Sequence, residues 1–304
     1  MKKDKTCLVD WQKDVVCWQT ANTLYISVVF TWDLPKVKEI ADETHKKVVI
    51  GGPAAYLMPD YLKGAGKIER ETPYPILAAH HPFATFTSRG CPNKCGFCAV
   101  PKIEGDYREL ETFDIRPIVC DNNLLASSDA HFNRVIDALK VFPYVDFNQG
   151  LDASLFTKER AQKIAELKHV KVRFAFDSVR DEAEVIDAIN LAKSLGMKDI
   201  NVYVLIGFND TPDDAQYRLE LIKAQGALPD PMRYQPLNSL TRNAYVNEKN
   251  GWSDRLLKDM QRFYYNSCRL GKVTFEEYRR GKQDKLDKVD NTMLDLGTLD
   301  RSKI

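Results

Sequence analysis

Three cysteines close together carry the strongest chemical signal in the sequence. Cys91, Cys95 and Cys98 are separated by three and then two residues. Thiolates are soft ligands that suit iron–sulfur clusters, and the glycines and proline of this segment allow tight backbone turns. The spacing therefore predicts one short loop that directs three sulfurs at three corners of a [4Fe–4S] cluster and leaves the fourth iron without a nearby cysteine.

A zinc site and three unrelated free thiols are the alternatives. Zinc usually takes four protein ligands arranged as two couplets. The other cysteines lie apart at positions 7, 17, 120 and 268, and the chain has only five histidines. The cluster is therefore the favoured interpretation, and its open iron can bind a small molecule, as open metal positions do in catalysis.

The segment from Cys91 to Cys98 resembles the signature of the radical S-adenosylmethionine (SAM) family, in which an aromatic residue, here Phe97, precedes the last cysteine. The resemblance covers residues 84 to about 236. It implies that SAM chelates the open iron and that the reduced cluster cleaves SAM to methionine and a 5′-deoxyadenosyl radical, which abstracts hydrogen from a substrate. It also implies an electron donor such as flavodoxin or ferredoxin. The protein then supplies binding and orientation for its cofactors.

Short β-rich runs alternate with helical patterns after the start of this region. The candidate strands are Ala84–Thr87, Ile118–Cys120, Val145–Asn148, Val172–Phe176, Ile200–Ile206 and Met232–Tyr234. Thr157, Asp181 and Thr211 are candidate N-caps of the intervening helices, and Gly196 is a candidate helix end. Six strand–helix units predict an α/β fold with a parallel sheet, curled as a partial (β/α)6 TIM-like barrel. A closed eight-stranded barrel would need two more units.

The flanking segments predict two smaller parts. Residues 24–57 have a strand–helix–strand pattern, and residues 58–82, rich in proline, glycine and charge, predict a linker or wrapping segment. We therefore expect a βαβ appendage with its linker over residues 1–82, the core over 83–236 and a C-terminal helical extension over 237–304. The appendage resembles part of a cobalamin-binding domain without the cobalamin-ligating motif.

Polar residues follow most of the predicted strands, where ligands bind in parallel barrels. The resemblance assigns the segment 121–122 to the methionyl amino group of SAM, although the usual Gly-Gly-Glu motif is absent there. It assigns 177–178 to the ribose and 207–208 to the adenine. Helix capping or a simple turn is the alternative for each. The residues expected to contact SAM are Phe97, Asp121, Asn122, Asp177, Ser178, Gly207 and Phe208.

Gln149, Asp152 and Arg173 are the candidates for substrate contact, and no catalytic residue is assigned among them. Gln149 and Asp152 follow the third predicted strand. Arg173 alternates with the bulky residues of its strand. If the bulky face packs against helices, Arg173 points into the cavity and can hold a carboxylate of SAM or of the substrate. A salt bridge at the barrel floor is the alternative.

The segment Ala99–Arg108 resembles the post-cluster loop of methylthiotransferases, a branch of the radical SAM family. Those enzymes carry three N-terminal cysteines for a second cluster, whereas only Cys7 and Cys17 precede the signature here. A methylthiotransferase-like or nucleic-acid-modifying enzyme is therefore the alternative function. A non-catalytic iron–sulfur electron-transfer or regulatory protein is the alternative of another class, and three cysteine ligands rather than four argue against it.

Charge and hydropathy limit the partners. The 44 basic and 43 acidic residues give a formal net charge of +1, so we favour a small molecule or peptide as substrate over a nucleotide or nucleic acid. Residues 253–270 interleave basic and aromatic side chains, and an amphipathic helix packed on the barrel is the favoured interpretation. No apolar stretch is long enough to cross a bilayer, and no apolar segment follows the N-terminal charges. These features predict a cytoplasmic protein without a membrane partner.

Overall fold

Two sheets organise the chain, and the larger one positions the cysteine loop. The computed structural model describes residues 11, 15–70, 76–266 and 273–282. These form an α/β protein with a six-stranded parallel sheet, interleaved helices and a smaller N-terminal sheet. The architecture agrees with the predicted α/β class and is consistent with a partial α/β barrel.

The N-terminal sheet has the strand order β1-β2-β3-β4, with β1 antiparallel and the others parallel. Its strands are β1 Val16–Gln19, β2 Thr23–Ser27, β3 Lys47–Gly51 and β4 Lys67–Ile68. Helix α1, Leu34–Asp42, connects β2 to β3, which confirms the predicted strand–helix–strand unit. Helices α2, Pro53–Leu57, and α3, Ile76–His80, follow. The linker prediction missed β4, which pairs with the end of β3.

The larger sheet contains the six predicted strands, all parallel to their neighbours. They are β5 Ala84–Thr85, β8 Ile118–Val119, β9 Val145–Phe147, β10 Val170–Ala175, β11 Asp199–Ile206 and β12 Leu228–Arg233. The spatial order is β12-β11-β10-β9-β8-β5. A separate antiparallel ribbon of β6, Ser88–Arg89, and β7, Arg108–Glu109, interrupts the sequence between β5 and β8.

The helices of this unit begin where side chains cap them. They are α4 Val100–Ile103, α5 Asp129–Leu139, α6 Lys158–Ala165, α7 Glu182–Ser194, α8 Pro212–Ala224 and α9 Asp254–Tyr265, and residues 275–282 are also helical. Thr157 and Thr211 cap α6 and α8 as predicted, and Thr211 forms a reciprocal capping box with Asp214. Asp181 precedes α7 but makes no side-chain capping bond. Gly196 has a positive φ after α7, as expected.

The two faces of the larger sheet differ in burial. Val172, Phe174 and Phe176 are fully buried in the main core with the helices. Arg173, on the opposite face of β10, is partly exposed, and Ala175 is exposed. The bulky face therefore packs against helices, as the alternation predicts. We call the opposite face of β9 to β12 the inner face.

Segments from outside the larger sheet and from after it pack on these two cores. Trp11 and Leu77 of α3 cover Ile118 and Cys120 at the β8 end of the sheet. Leu240 packs against the core of the N-terminal sheet, and the Thr31 hydroxyl donates to the Ser239 carbonyl at 2.5 Å. Among the helices of the described ranges, none combines the length and apolar character of a membrane-spanning segment.

Candidate functional site

The β6–β7 ribbon closes the base of a loop that carries the three clustered cysteines. The loop follows β5 and so lies at the carboxyl end of the first strand of the parallel sheet. Gly90 opens it with φ +75°, and a Cβ at this position would overlap the backbone carbonyl of Asp106. A glycine is therefore required where the two ends of the loop meet.

Glu104 fixes both ends of the cysteine loop. Its carboxylate accepts hydrogen bonds from the Arg89 guanidinium, the Gly90 amide and Asn122 Nδ2, each at 2.8 Å. The same side chain forms an ion pair with Arg89. Asn122, predicted to contact SAM, is thereby held against the loop. The sequence gives no local sign of the Glu104 role, because its partners lie 14 to 18 residues away.

Asp152 holds the loop from the other side. Its Oδ2 accepts from Asn93 Nδ2 at 2.9 Å and from Asn123 Nδ2 at 3.0 Å, and its Oδ1 accepts from the Ser154 amide and hydroxyl. Asn123 Nδ2 also lies 3.9 Å from Cys91 Sγ. Asp152 thus anchors the loop, which sequence analysis missed, and its contact with a substrate stays a prediction.

The three thiols differ in exposure but influence one another. Cys95 is exposed, while Cys91 and Cys98 are partly buried. Burial raises the pKa of Cys95 and of Cys98, and the neighbouring thiols raise both pKa values further. Within the described residues, no group of three or more His, Cys, Asp or Glu side chains is arranged to hold a metal ion.

The residues nevertheless fit a cluster in donor chemistry. Three thiols on one loop are the donor set that iron–sulfur clusters use. Beside them, Asn123 Oδ1 is buried and accepts no hydrogen bond in the described structure. Its amide nitrogen lies near Cys91 Sγ, and hydrogen bonds to ligating sulfurs are the usual outer-shell support of such clusters.

Asp121 joins β8 to the segment leading into the cysteine loop. It is 3% exposed, and its oxygens accept from the Thr87 amide at 2.6 Å and from the Thr87 hydroxyl. Burial raises the pKa of Asp121, and the bonds from Thr87 oppose that shift. The expected contact with the SAM ammonium stays a prediction, since both oxygens already accept from Thr87.

Asp177 and Ser178 follow β10 and have different surroundings. Ser178 accepts from the Arg180 amide at 3.3 Å and caps the turn before α7. Asp177 accepts one bond, from the Leu205 amide at 3.1 Å. Burial raises the pKa of Asp177 to about 6, and its charge contributes to the raised pKa values of Cys95 and Cys98. The structure therefore brings Asp177 near the cysteine loop.

Four aromatic rings extend from the cysteine loop across the ends of β11 and β12. Phe97 meets Phe208 edge to face at 5.7 Å between ring centroids, Phe208 lies 4.7 Å from Tyr234, and Tyr234 lies 5.1 Å from Tyr245. The structure thus brings the predicted Phe97 and Phe208 together. Tyr234 and Tyr245 were missed. Such a row offers flat apolar surface for an aromatic ligand.

Arg218 of α8 hydrogen-bonds to the carboxyl ends of β10 and β11. This fully buried guanidinium donates to the Phe176 and Leu205 carbonyls at 2.6 and 3.1 Å and to Asp210 at 2.5 Å. Asp210 in turn accepts from the Gly207 amide at 2.9 Å, where Gly207 has φ +83°. The sequence carried a signal for it, because Arg218 stands on the apolar face of its helix.

Arg173 forms an ion pair with Asp146 on the inner face, and their side chains are 12% and 11% exposed. This is the salt bridge that the sequence left open as an alternative, and it places Arg173 on the cavity side. Gln149 is exposed in the loop after β9. Gln149 makes no hydrogen bond or ion pair among the described residues, and its predicted substrate contact stays a prediction.

Comparison with known proteins gives one distant relationship. No family model matches the chain. A stretch of 165 residues is 27% identical to the ribosomal protein uS12 methylthiotransferase RimO of Caldanaerobacter subterraneus subsp. tengcongensis, and it covers 51% of this chain. The chain spans about a third of the length of that relative, with 33% covered. This weak, partial similarity agrees with the resemblance of the segment after Cys98 to methylthiotransferases.

Proposed function

We propose that this chain is a radical SAM enzyme that holds a [4Fe–4S] cluster through Cys91, Cys95 and Cys98 and binds SAM at the adjoining strand ends. The observation that carries the proposal is the single loop of three thiols at the carboxyl end of a parallel sheet, braced by Glu104 and Asp152. The partial similarity to a methylthiotransferase supports it.

The cluster and SAM, when bound, supply a carbon radical that removes a hydrogen atom from the substrate. The chain itself positions these groups. Glu104 and Asp152 hold the two sides of the thiol loop, and Asn123 directs its amide toward Cys91. The aromatic row from Phe97 to Tyr245 offers a stacking surface beside the loop. These residues orient ligands and exclude water, which is the protein's part in cofactor chemistry.

Iron content tests the cluster. After anaerobic reconstitution the protein is expected to hold about four irons per chain, as one cubane cluster requires. Replacing Cys91, Cys95 and Cys98 by Ala should abolish iron binding and the visible absorption of the cluster. The Cys120→Ala variant is the matched control, because Cys120 is buried under a separate apolar cluster. A normal cluster in the triple variant would contradict the proposal.

Cleavage of SAM separates the enzyme from a non-catalytic iron–sulfur protein. The reconstituted, dithionite-reduced protein should convert SAM to 5′-deoxyadenosine and methionine, slowly in the absence of substrate. Chromatography of the two products measures the reaction. A protein with a complete cluster and no SAM cleavage would be an electron-transfer or regulatory protein instead.

Methylthiotransfer is the second candidate, favoured by the similarity to RimO. Such an enzyme would need a second cluster. Cys17 is exposed on β1, and Cys7 lies outside the described residues. Iron content of the Cys7→Ala, Cys17→Ala double variant distinguishes the candidates: unchanged iron supports a single-cluster enzyme, and loss of half the iron supports methylthiotransfer.

A further inference from the structure

The inner face of the larger sheet is polar, although its reverse face forms the main core. Strand alternation and register place its polar side chains together. They are Asp146, Lys171, Arg173, Asn201, Tyr203 and Asp230. Polar groups removed from water cost free energy unless they are paired. Any polar group of the inner face that lacks a partner therefore indicates a ligand site.

Most charges of the inner face are paired. Arg173 forms its ion pair with Asp146, and Lys171 lies 3.5 Å from Asp199. Asp230 differs, since it has no ion pair or hydrogen bond within the described residues. Burial raises the pKa of Asp230, and the charges of Arg173 and Lys171 oppose that shift without forming a contact. One half-buried carboxylate is therefore left without a protein donor.

A second acceptor lies beside it. Asn201 Oδ1 is buried and accepts no hydrogen bond in the described structure. Asn201 and Tyr203 share one face of β11, and Tyr203 pairs in register with Asp230 of β12. The Tyr203 hydroxyl donates to the Asn148 carbonyl at 2.8 Å, which fixes its ring. A buried unpaired amide oxygen and a half-buried carboxylate thus lie on the same face as this ring.

The chemistry that suits both acceptors is a primary ammonium. It carries three N–H donors and one positive charge, which match a carboxylate and an amide oxygen. The Tyr203 ring, with the Arg173 guanidinium 6.0 Å from its centroid, borders the two acceptors as a flat apolar surface. A carboxylate or phosphate ligand would instead meet Asp230 and leave both acceptors unsatisfied.

The surroundings toward the carboxyl ends of the strands are apolar. Leu205 and Met232 follow Tyr203 and Asp230 on the same face and pair in register, and Met232 is 48% exposed. From Asp230 to the end of β12 at Arg233 is about 10 Å, at ~3.3 Å per residue. An alkyl chain anchored at Asp230 would therefore extend along these side chains toward the strand ends, where Phe208 and the cysteine loop lie.

We propose that the inner face binds an alkyl primary amine, with its ammonium at Asp230, Asn201 and Tyr203 and its carbon chain directed toward the cysteine loop. Its identification as the substrate rests on the proposed function, but its binding does not. A free diamine and a lysine side chain share this chemistry and are the two sources that the experiment distinguishes.

Calorimetric titration of the full chain as purified, without SAM or reductant, tests the binding. Two amine probes are used, cadaverine and Nα-acetyl-lysine methylamide, and Nα-acetyl-norleucine methylamide is the uncharged control. At least one amine should bind, and the norleucine compound should not. The probe that binds more tightly identifies the source as a free diamine or a lysyl residue. Failure of both amines, or equal binding of the norleucine compound, overturns the proposal.

Variants separate the site from general charge effects. Asp230→Asn should weaken amine binding by about tenfold or more, the loss of one charge-assisted contact. Asp199→Asn, which removes a carboxylate already next to Lys171, should bind as the wild type does. Equal affinity in Asp230→Asn and the wild type contradicts the site.

Thermal unfolding provides a ligand-free check. Partial burial raises the pKa of Asp230 and so disfavours its charged form, and Asp230→Asn should therefore raise the Tm. Asp146→Asn should lower the Tm, because it leaves Arg173 unpaired. A lower Tm in both variants would show that Asp230 is structural. None of these measurements needs the cluster, so failure of SAM cleavage and failure of amine binding are separate results.

Discussion

Four carboxylates border the cysteine loop, and they differ in the number of hydrogen bonds they accept. Glu104 accepts three bonds, Asp152 accepts from three residues, and Asp121 accepts two from Thr87. Asp177 accepts one from a backbone amide. The first three hold the loop in place, and Asp177 retains acceptor capacity for a ligand hydroxyl.

Asp121→Ala tests the anchoring function. The variant leaves the buried Thr87 amide and hydroxyl without their acceptor, so the free energy of unfolding should fall by about 2 kcal/mol or more. Urea unfolding measures it. Asp121→Asn, which keeps an acceptor oxygen, is the control and should lose less. Unchanged stability in Asp121→Ala would show that Asp121 is free to serve a ligand.

Asp177→Asn tests the buried carboxyl beside the thiols. Burial raises its pKa from 3.8 to about 6, so the folded state binds a proton more tightly than the unfolded chain. The stability gained from that proton is complete below about pH 4 and is lost as the pH rises through about 6. The variant should therefore gain stability relative to the wild type between pH 4 and pH 7.

Urea unfolding at the two pH values measures this difference for Asp177→Asn. Asp60 serves as the comparison, because its exposed carboxyl has a lowered pKa caused by Lys63. Asp60→Asn should change little and in the opposite direction. A pH-independent difference for Asp177→Asn would mean that its carboxyl is not desolvated.

The sequence predicted which kinds of side chain lie near the site, but it did not predict which residues form hydrogen bonds with one another there. The three thiols, Phe97 and Phe208 follow from local patterns. The bonds of Glu104 and Asp152 join residues that are far apart in the chain, and no local period reports such pairs. Arg218 was missed as well, although its position on the apolar face of its helix could have marked it.

At the scale of elements, the loop depends on a two-residue ribbon and on glycines at its turns. Gly90 and Gly105 both have φ +75°. A Cβ on Gly90 would overlap Asp106, whereas nothing lies within 4 Å of a Cβ on Gly105. The two positions therefore share one backbone strain and differ only in packing.

Gly90→Ala and Gly105→Ala form a matched pair. Gly105→Ala should cost about 1–2 kcal/mol, the strain of a left-handed conformation. Gly90→Ala should cost that amount and about 1–3 kcal/mol more for the overlap, and it should reduce iron retention after reconstitution. Urea unfolding and iron content measure the two effects. Equal costs in the pair would show that the loop moves freely at Gly90.

The elements that the sequence predicted are those of the repeated strand–helix pattern. The six strands of the larger sheet were recognisable because apolar runs alternate with capped helices. The missed strands β4, β6 and β7 contain two residues each, and they lie outside the strand–helix repeat that made the equally short β5 and β8 recognisable. Whether β4, β6 and β7 form strands depends on the neighbouring strands that the fold brings close to them, which the local sequence does not report.

At the scale of the whole molecule, the C-terminal helix decides whether the surface suits a polyanion. Helix α9 interleaves basic and aromatic residues, but Phe263 and Tyr264 are buried in the main core. Lys258 pairs with Asp254 at 2.6 Å, and Arg255 lies 3.9 Å from Asp259. Phe263 and Tyr264 are thus unavailable for base stacking, as the amphipathic interpretation predicted, whereas Tyr265 is 70% exposed. Arg269 and Lys272 lie outside the described residues.

Affinity for nucleic acid tests the substrate class of the whole protein. With a formal net charge of +1 and paired charges on α9, the chain should bind tRNA and single-stranded DNA more weakly than about 1 µM near physiological salt. Filter binding at two salt concentrations measures this, and Arg262→Glu is the control, expected to change nothing. Sub-micromolar binding that falls steeply with salt and weakens in Arg262→Glu would establish a phosphate-binding surface, because that slope counts the counterions released by protein–phosphate contacts. The nucleic-acid-modifying alternative would then replace the amine substrate.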